Sequence, residues 1–283
     1  MAVPNDLQAY WMGFTPNRAF KARPRLIARA KDMYYYTPEG RAVLDGTAGL
    51  WCTNAGHNRE PIVAAIRAQA GELDYAPAFQ FSHPKAFELA SRIAALAPGD
   101  LDHVFFCNSG SEAVDTALKI ALAYHNVRGE GSRTRLIGRE RGYHGVGFGG
   151  TAVGGIVSNR KFFGSLLAGV DHLPATYDRE KQAFSKGEPD YGAHFADAVM
   201  TLKGLPNVLD IRTVGLTAGI DLAAKPDAVG KRGYEAMTSA FHDNDLMLRI
   251  AGDTLALTPP LILSEEHIGE IVDKVGKVIR AVA

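Results

Sequence analysis

Residues 104–124 read VFFCNSGSEAVDTALKIALAY, and this stretch decides the fold. Val104, Phe105, Phe106 and Cys107 form a short apolar run, the pattern of a buried parallel strand. Asn108, Ser109 and Gly110 break it. From Ser111 onward, Ala113, Ala117, Ala121 and Tyr124 recur at helical spacing, with Val114, Leu118 and Leu122 beside them. Strand, tight turn and helix in that order suit a phosphate. Gly110 lets the backbone approach an anion closely. The first-turn amides and the hydroxyls of Ser109 and Ser111 supply donors, and the helix dipole assists. Ser-Gly-Ser before a helix is also a plain N-cap, and the local pattern leaves both readings open.

Outward from this unit, strands and helices alternate. Residues 32–45 read as a hairpin turning at Pro38-Glu39-Gly40, and 60–71 and 84–96 as helices, the second stopping before Pro98-Gly99. A strand is expected at 135–139 and a glycine-rich loop at 142–155. This alternation argues for an α/β domain with a mostly parallel sheet. The chain turns polar and irregular around 173–191. Then follow a helix at 193–203, strand segments at 208–218 and 219–222, a helix at 231–244, strands at 247–250 and 254–257, and an amphipathic helix at 265–283. That last part has the character of a small α+β domain. GVGFGG at 145–150 is not a dinucleotide fingerprint, because no helix pattern follows directly and no acidic residue sits at the ribose distance.

The chain has 283 residues, 46% hydrophobic and 22% charged, with a formal net charge of zero, which is ordinary for a globular protein. Nothing in that balance favours nucleic acid or an anionic membrane as partner. Basic residues cluster at Arg18, Lys21, Arg23, Arg25, Arg29 and Lys31 in an otherwise irregular N-terminal stretch, and read as a solvated face. Cys52 and Cys107 sit in apolar surroundings and read as buried free thiols in a reducing compartment, not a disulfide framework. MAVPNDLQAYW has no signal-peptide pattern, and no uncharged apolar run reaches membrane-spanning length, so the expected location is the cytoplasm. No metal is expected.

NSGSEAVDTALKIA at 108–121 and RGYHG at 141–145 resemble the class III aminotransferases, which depend on pyridoxal 5'-phosphate (PLP). GTAGLWCTNAGHN at 46–58 and LRIAGDTLALTPPL at 248–261 resemble their ω-amino acid–pyruvate (β-alanine–pyruvate) branch. The resemblance implies PLP fold type I, the aspartate-aminotransferase type. It divides the chain into an N-terminal segment (1–59) serving the small domain and pocket, a partial PLP-binding large domain (60–198) and a C-terminal small domain (199–283). It implies transfer of an amino group from an ω-amino acid such as β-alanine, or an amine, to pyruvate, in a homodimer or higher assembly. Ser109, Gly110 and Ser111 would hold the phosphate, and Tyr143 would stack on the pyridine ring, with His144 beside it. Leu50, Trp51 and an N-terminal aromatic, Phe14 or Trp11, would line the pocket, and Arg249 would grip the acceptor carboxylate in two parallel hydrogen bonds. Trp51 and the Arg249 motif argue against a glutamate-semialdehyde aminomutase-like member.

The departure is near 198–203, where the family's longer chains carry the aspartate that meets the pyridine nitrogen and the Schiff-base lysine. Neither can be placed here. Lys203, in LKGLPN, superficially matches the lysine's context but follows an amphipathic helix and no buried strand. Lys119 is on the phosphate helix, facing away from its turn. A non-catalytic, internally deleted remnant is therefore the rival of the active enzyme. A shortened sheet is expected to be incomplete and to expose strand edges and apolar helix faces.

Overall fold

The computed structural model describes residues 7–175, 183, 184, 186, 187 and 193–283. The chain divides into two units, Met1–Glu72 with Arg179–Ala283, and Leu73–Asp178. The first begins with α1 (Asn17–Ala22), β1 (Arg29–Lys31), β2 (Tyr34–Tyr36), β3 (Ala42–Asp45) and α2 (Glu60–Glu72). The second holds α3 (Pro84–Leu96), α4 (Gly110–Val127), β4 (Leu136–Glu140), α5 (Phe148–Val153), β5 (Gly154–Gly155), α6 (Val157–Arg160) and β6 (Val170–Leu173). The first unit resumes with β7 (Lys186–Gly187), α7 (Ala193–Met200), β8 (Val208–Val214), β9 (Thr217–Leu222), α8 (Lys231–Asp243), β10 (Leu246–Met247), β11 (Arg249–Ala251), β12 (Thr254–Leu257) and α9 (Glu265–Ala281).

The core of the first unit follows from the period of α9. Ile268, Ile271, Val272, Val275, Val278 and Ile279 recur three and four apart, and all are buried. Ser264 starts the helix in a reciprocal capping arrangement with His267. The apolar stripe joins one cluster with Ile211, Ile220, Leu255 and Leu257 of the sheet and Ala236 and Ala240 of α8. Each aliphatic side chain buried there contributes about 1.5–3 kcal/mol. The sheet runs β11-β12-β9-β8-β7, antiparallel except where β7 meets β8. A second sheet, β1-β2-β3-β10, ends in a parallel pair. The chain crosses from one sheet to the other at buried Leu248, and Arg249 opens β11.

The second unit has a different balance. Its sheet, β5-β4-β6, is wholly parallel and three strands wide. The apolar periodicity of α3 and α4 is real, yet neither helix has a buried residue. Phe87 is 68% exposed and Ile120 54%. Ala152 and Val153 are its buried hydrophobic residues among those described.

Several expectations need correction. Val104–Cys107 is not a strand: residues 101–107 have no regular structure, and Phe105 is 72% exposed. Both edges of β4 are taken by β5 and β6, and the run pairs with none of the three strands. The glycine-rich loop at 142–155 contains the helix α5, and the N-terminal stretch contains α1. The strand segments at 208–222 are a hairpin that turns at Gly215-Leu216. The 247–250 strand is two strands in two sheets. The irregular stretch at 173–191 falls largely outside the described residues.

Candidate active site

The turn before α4 is built as its pattern suggests. Ser109, in an extended conformation, is the N-cap, and its Oγ accepts from the Glu112 amide at 3.2 Å. Glu112 reaches back, its carboxylate accepting from the Asn108 amide at 2.8 Å. Gly110 and Ser111 then supply the first-turn amides that no helical carbonyl can reach. A Cβ at Gly110 would meet nothing within 4 Å, so the approach to these amides is open. The N-cap and anion readings are thus compatible, since the Ser109 hydroxyl accepts inward and keeps a proton to donate.

Two contacts tie the loop carrying Tyr143 to this turn. The Val146 amide donates to Ser111 Oγ at 3.0 Å. Gly145, at φ 105°, packs so closely that a Cβ there would lie 2.7 Å from Ser111 Cα. Behind them, Asp115 on α4 accepts from the amides of Gly149, at 3.4 Å, and Gly150, at 2.7 Å. That carboxylate sits at the start of α5 and offsets the poor helix propensity of its two glycines. It also occupies the α5 N-terminus, which is the physical reason 145–150 is no dinucleotide seat. Tyr143 is half exposed on the same loop as Ser111's partner. His144 lines a cleft with Val114, Leu118, Ile137 and Val153.

In the first unit, Leu50 and Trp51 lie on a turn of unusual backbone. Ala48, Gly49, Leu50 and Trp51 have φ of 46°, 56°, 71° and 65°. A left-handed turn costs roughly 1–2 kcal/mol for each residue bearing a Cβ. Asp45, fully buried at the end of β3, spans it: Oδ1 accepts from the Thr47 amide at 2.9 Å and Oδ2 from the Gly49 amide at 2.8 Å. The buried His57 imidazole meets Oδ2 through Nε2 at 2.6 Å. The Tyr35 ring lies 4.2 Å from the His57 ring, and burial, then Asp45 and Cys52, push its phenol up to about 12. A Cβ on Gly49 would lie 2.7 Å from the Tyr35 hydroxyl, so glycine is required there. Arg249 places its guanidinium carbon 5.8 Å from the Trp51 ring centroid. Phe14 is 68% exposed with φ 51°.

Lys203 lies exposed in the turn after α7, its ammonium 4.3 Å from the Phe184 ring centroid. Ser109, Gly110, Ser111, Tyr143 and His144 therefore fall in one unit, and Leu50, Trp51, Phe14, Arg249 and Lys203 in the other. Asp45, His57 and Asp115 escaped the reading of the sequence. The close spacing of Asp45, Gly49 and His57 around Trp51 was the available signal for the first two. Asp115 has none, since its partners are 34 and 35 residues away.

Comparison with known proteins gives the family. The family described as aminotransferase class-III matches residues 17–197. An omega-aminotransferase of Caulobacter vibrioides is 60% identical over 210 residues, 74% of this chain and 48% of that one. A beta-alanine–pyruvate aminotransferase of Pseudomonas aeruginosa is 46% identical over 210 residues, 74% of this chain and 46% of that one. The crystal structure of a thermostable omega transaminase 6-fold mutant from Pseudomonas jessenii superposes with a TM-score of 0.87 at 18% identity, covering 97% of each chain. The chain belongs to the class III aminotransferases, a family that uses PLP, and has their fold type I architecture. It spans about half the length of the relatives it matches.

Proposed function

We propose that this chain carries the binding parts of an ω-amino acid–pyruvate transaminase, with no lysine among the described residues placed to complete the nitrogen transfer. The observation that carries the proposal is the Ser109–Ser111 turn with the Tyr143 loop bonded to it at Ser111. Gly110 and Ser111 amides and the two serine hydroxyls fit a phosphate, and Tyr143 offers a flat face for the pyridine ring. When bound, PLP carries the amino nitrogen between donor and acceptor. Arg249 binds the acceptor carboxylate, and Trp51, Leu50 and Phe14 form apolar walls. Arg249 suits that role because a guanidinium meets both carboxylate oxygens at once. His144 supports the Tyr143 loop.

Lys203 does not supply the missing amine. A nucleophilic lysine must reach the neutral form near pH 7, which takes a desolvated pocket or a cationic neighbour. Lys203 has neither: it is exposed, with the Phe184 ring 4.3 Å from its nitrogen. No helix among the described residues is long and apolar enough to cross a membrane. We place the chain in the cytoplasm as a homo-oligomer, the exposed apolar faces of α3 and α4 being consistent with association.

The test is to incubate the purified chain with PLP, reduce with borohydride and map labelled lysines by mass spectrometry. Scattered trace labelling is expected, together with β-alanine–pyruvate transfer no faster than free PLP. A single labelled lysine with turnover would restore the active enzyme. A chain that does not bind PLP at all would remove the binding half of the proposal. Light scattering of the same sample reports the assembly.

A further inference from the structure

We propose that Asp45 and His57 are positioning residues: their buried pair fixes the left-handed turn at 48–51 and so sets where Leu50 and Trp51 project. The turn cannot hold itself. Its four residues sit at φ 46–71°, and only one of them is glycine. Its own backbone bonds close on Thr47 and Ala48, with the Leu50 and Trp51 amides donating to the Thr47 carbonyl and the Cys52 amide to that of Ala48. The anchor is the Asp45 carboxylate, which takes the Thr47 and Gly49 amides from one side and His57 Nε2 from the other. Both side chains are buried, where a lost partner is not replaced by water.

The anchor is itself held on every side. The Asp45 amide donates to the Met33 carbonyl, and His57 exchanges both backbone hydrogen bonds with Asp32, each at 2.8 Å. Gly46 is clamped between the Met247 carbonyl and the Thr258 amide. The pair therefore joins the β-sheet to the turn rigidly, while the other end of the turn presents Trp51 to the Arg249 guanidinium. Asp45 and His57 act only through the turn. That the placement of Trp51 matters for a carboxylate at Arg249 rests on the reading of the preceding subsection; the dependence of the turn on the pair does not.

The chain contains two tryptophans, Trp11 and Trp51, so 5-fluorotryptophan labelling yields two fluorine resonances, assigned with W11F. His57→Phe removes the donor to Asp45, and His57→Gln retains one. The expected result is that H57F shifts or splits the Trp51 signal and leaves the Trp11 signal in place, while H57Q keeps both. Pyruvate is expected to move the Trp51 signal in the parent and in H57Q, with H57F binding it at least fivefold more weakly. An unmoved Trp51 signal in H57F overturns the proposal. If H57F does not fold, hydrogen exchange on the parent decides. Thr47 and Gly49 amides slowed at least 100-fold support the anchor, and free exchange at both overturns it. A parent whose Trp51 signal ignores pyruvate removes the acceptor reading alone, because the comparison of the variants needs no ligand.

Discussion

Ser111 Oγ accepts the Val146 amide at 3.0 Å, so the helix N-terminus and the loop bearing Tyr143 behave as one piece. Ser111→Ala deletes an acceptor for that loop and, on the proposed function, a donor to the cofactor phosphate. PLP affinity should fall about tenfold, the equivalent of about 1.4 kcal/mol, at the upper end of a typical hydrogen bond. Pyridoxal, which lacks the phosphate, separates the two roles. Equilibrium titrations should show S111A weakened for PLP and little changed for pyridoxal. Equal losses for both would mean that Ser111 acts only by holding the loop.

Asp115 bonds the Gly149 and Gly150 amides and fills the space in front of Gly147, whose Cβ would collide with its carboxylate. Asp115→Ala should release the N-terminus of α5 and destabilise the Leu73–Asp178 unit by about 1–2 kcal/mol, the usual cost of losing a helix N-terminal acceptor. Hydrogen exchange localises the effect. Faster exchange confined to residues 146–153 is expected, and unchanged exchange there would refute the role.

Arg249 places its guanidinium carbon 5.8 Å from the Trp51 ring centroid, and on the proposed function it grips the acceptor carboxylate. Arg249→Lys keeps the charge and loses the fork geometry. Pyruvate affinity, followed by Trp51 fluorescence, should fall about tenfold, whereas chloride, which has no fork to match, should distinguish the two side chains little. An R249K chain that binds pyruvate like the parent would show that charge alone suffices.

Local pattern carried the fold where an element's own residues hold the signal. The α9 stripe, the Tyr34–Tyr36 hairpin strand and the Ser109 cap were legible because their hydrophobic period or capping chemistry is complete over a few residues. Val104–Cys107 misled because a strand is made by its neighbours, and an apolar run of four residues does not say whether a partner strand lies beside it. The helix in 148–153 was hidden because its stability comes from Asp115, far back in the chain, against the preference of Gly149 and Gly150. For the site, the residues that present chemistry were visible, but the residues that hold them were not. Asp45 and His57 reveal themselves only once β3 and the 48–57 segment are folded together.

Arg212 links two strands of the small sheet, bonding Asp221 through both terminal nitrogens, at 2.7 and 3.0 Å, and fully buried Asp210 at 2.7 Å. Burial raises the Asp221 pKa, but hydrogen bonds from Arg212 and Thr254 outweigh it and hold the carboxyl below its ordinary 3.8. A depressed carboxylate stabilises the fold above its unfolded pKa and loses that contribution as pH falls through the native value. The first unit should therefore weaken below about pH 4, the range of an unperturbed Asp. Arg212→Leu removes the cation that bridges Asp210 and Asp221, and the first unit should lose about 1.5–3 kcal/mol, the span of a hydrogen bond to a charged group. Denaturant melts at pH 7 and pH 3 check both: the parent should lose stability between them, and R212L should lose less. An equal decline would place the acid sensitivity elsewhere.

His242, at the end of α8, responds to pH in the same direction for a different reason. Burial lowers its pKa below the ordinary 6.5, and the charges of Arg23, Arg25 and Arg41 add to that, while a backbone hydrogen bond at Arg23 opposes it. Its Nε2 is buried without a hydrogen-bond partner, which an imidazolium could not tolerate as a donor. The unfolded chain thus binds the proton more readily than the native one. Stability is full above pH 6.5 and declines as pH drops below it, because protonation favours unfolding. His242→Gln removes the titrating group while keeping a polar side chain of similar reach. Relative to the parent, H242Q should gain stability at pH 5 and show no such gain at pH 8, read as the difference in thermal midpoint. A gain of the same size at both values would mean that His242 is merely ill-packed, and that its three arginine neighbours have no part in the pH response.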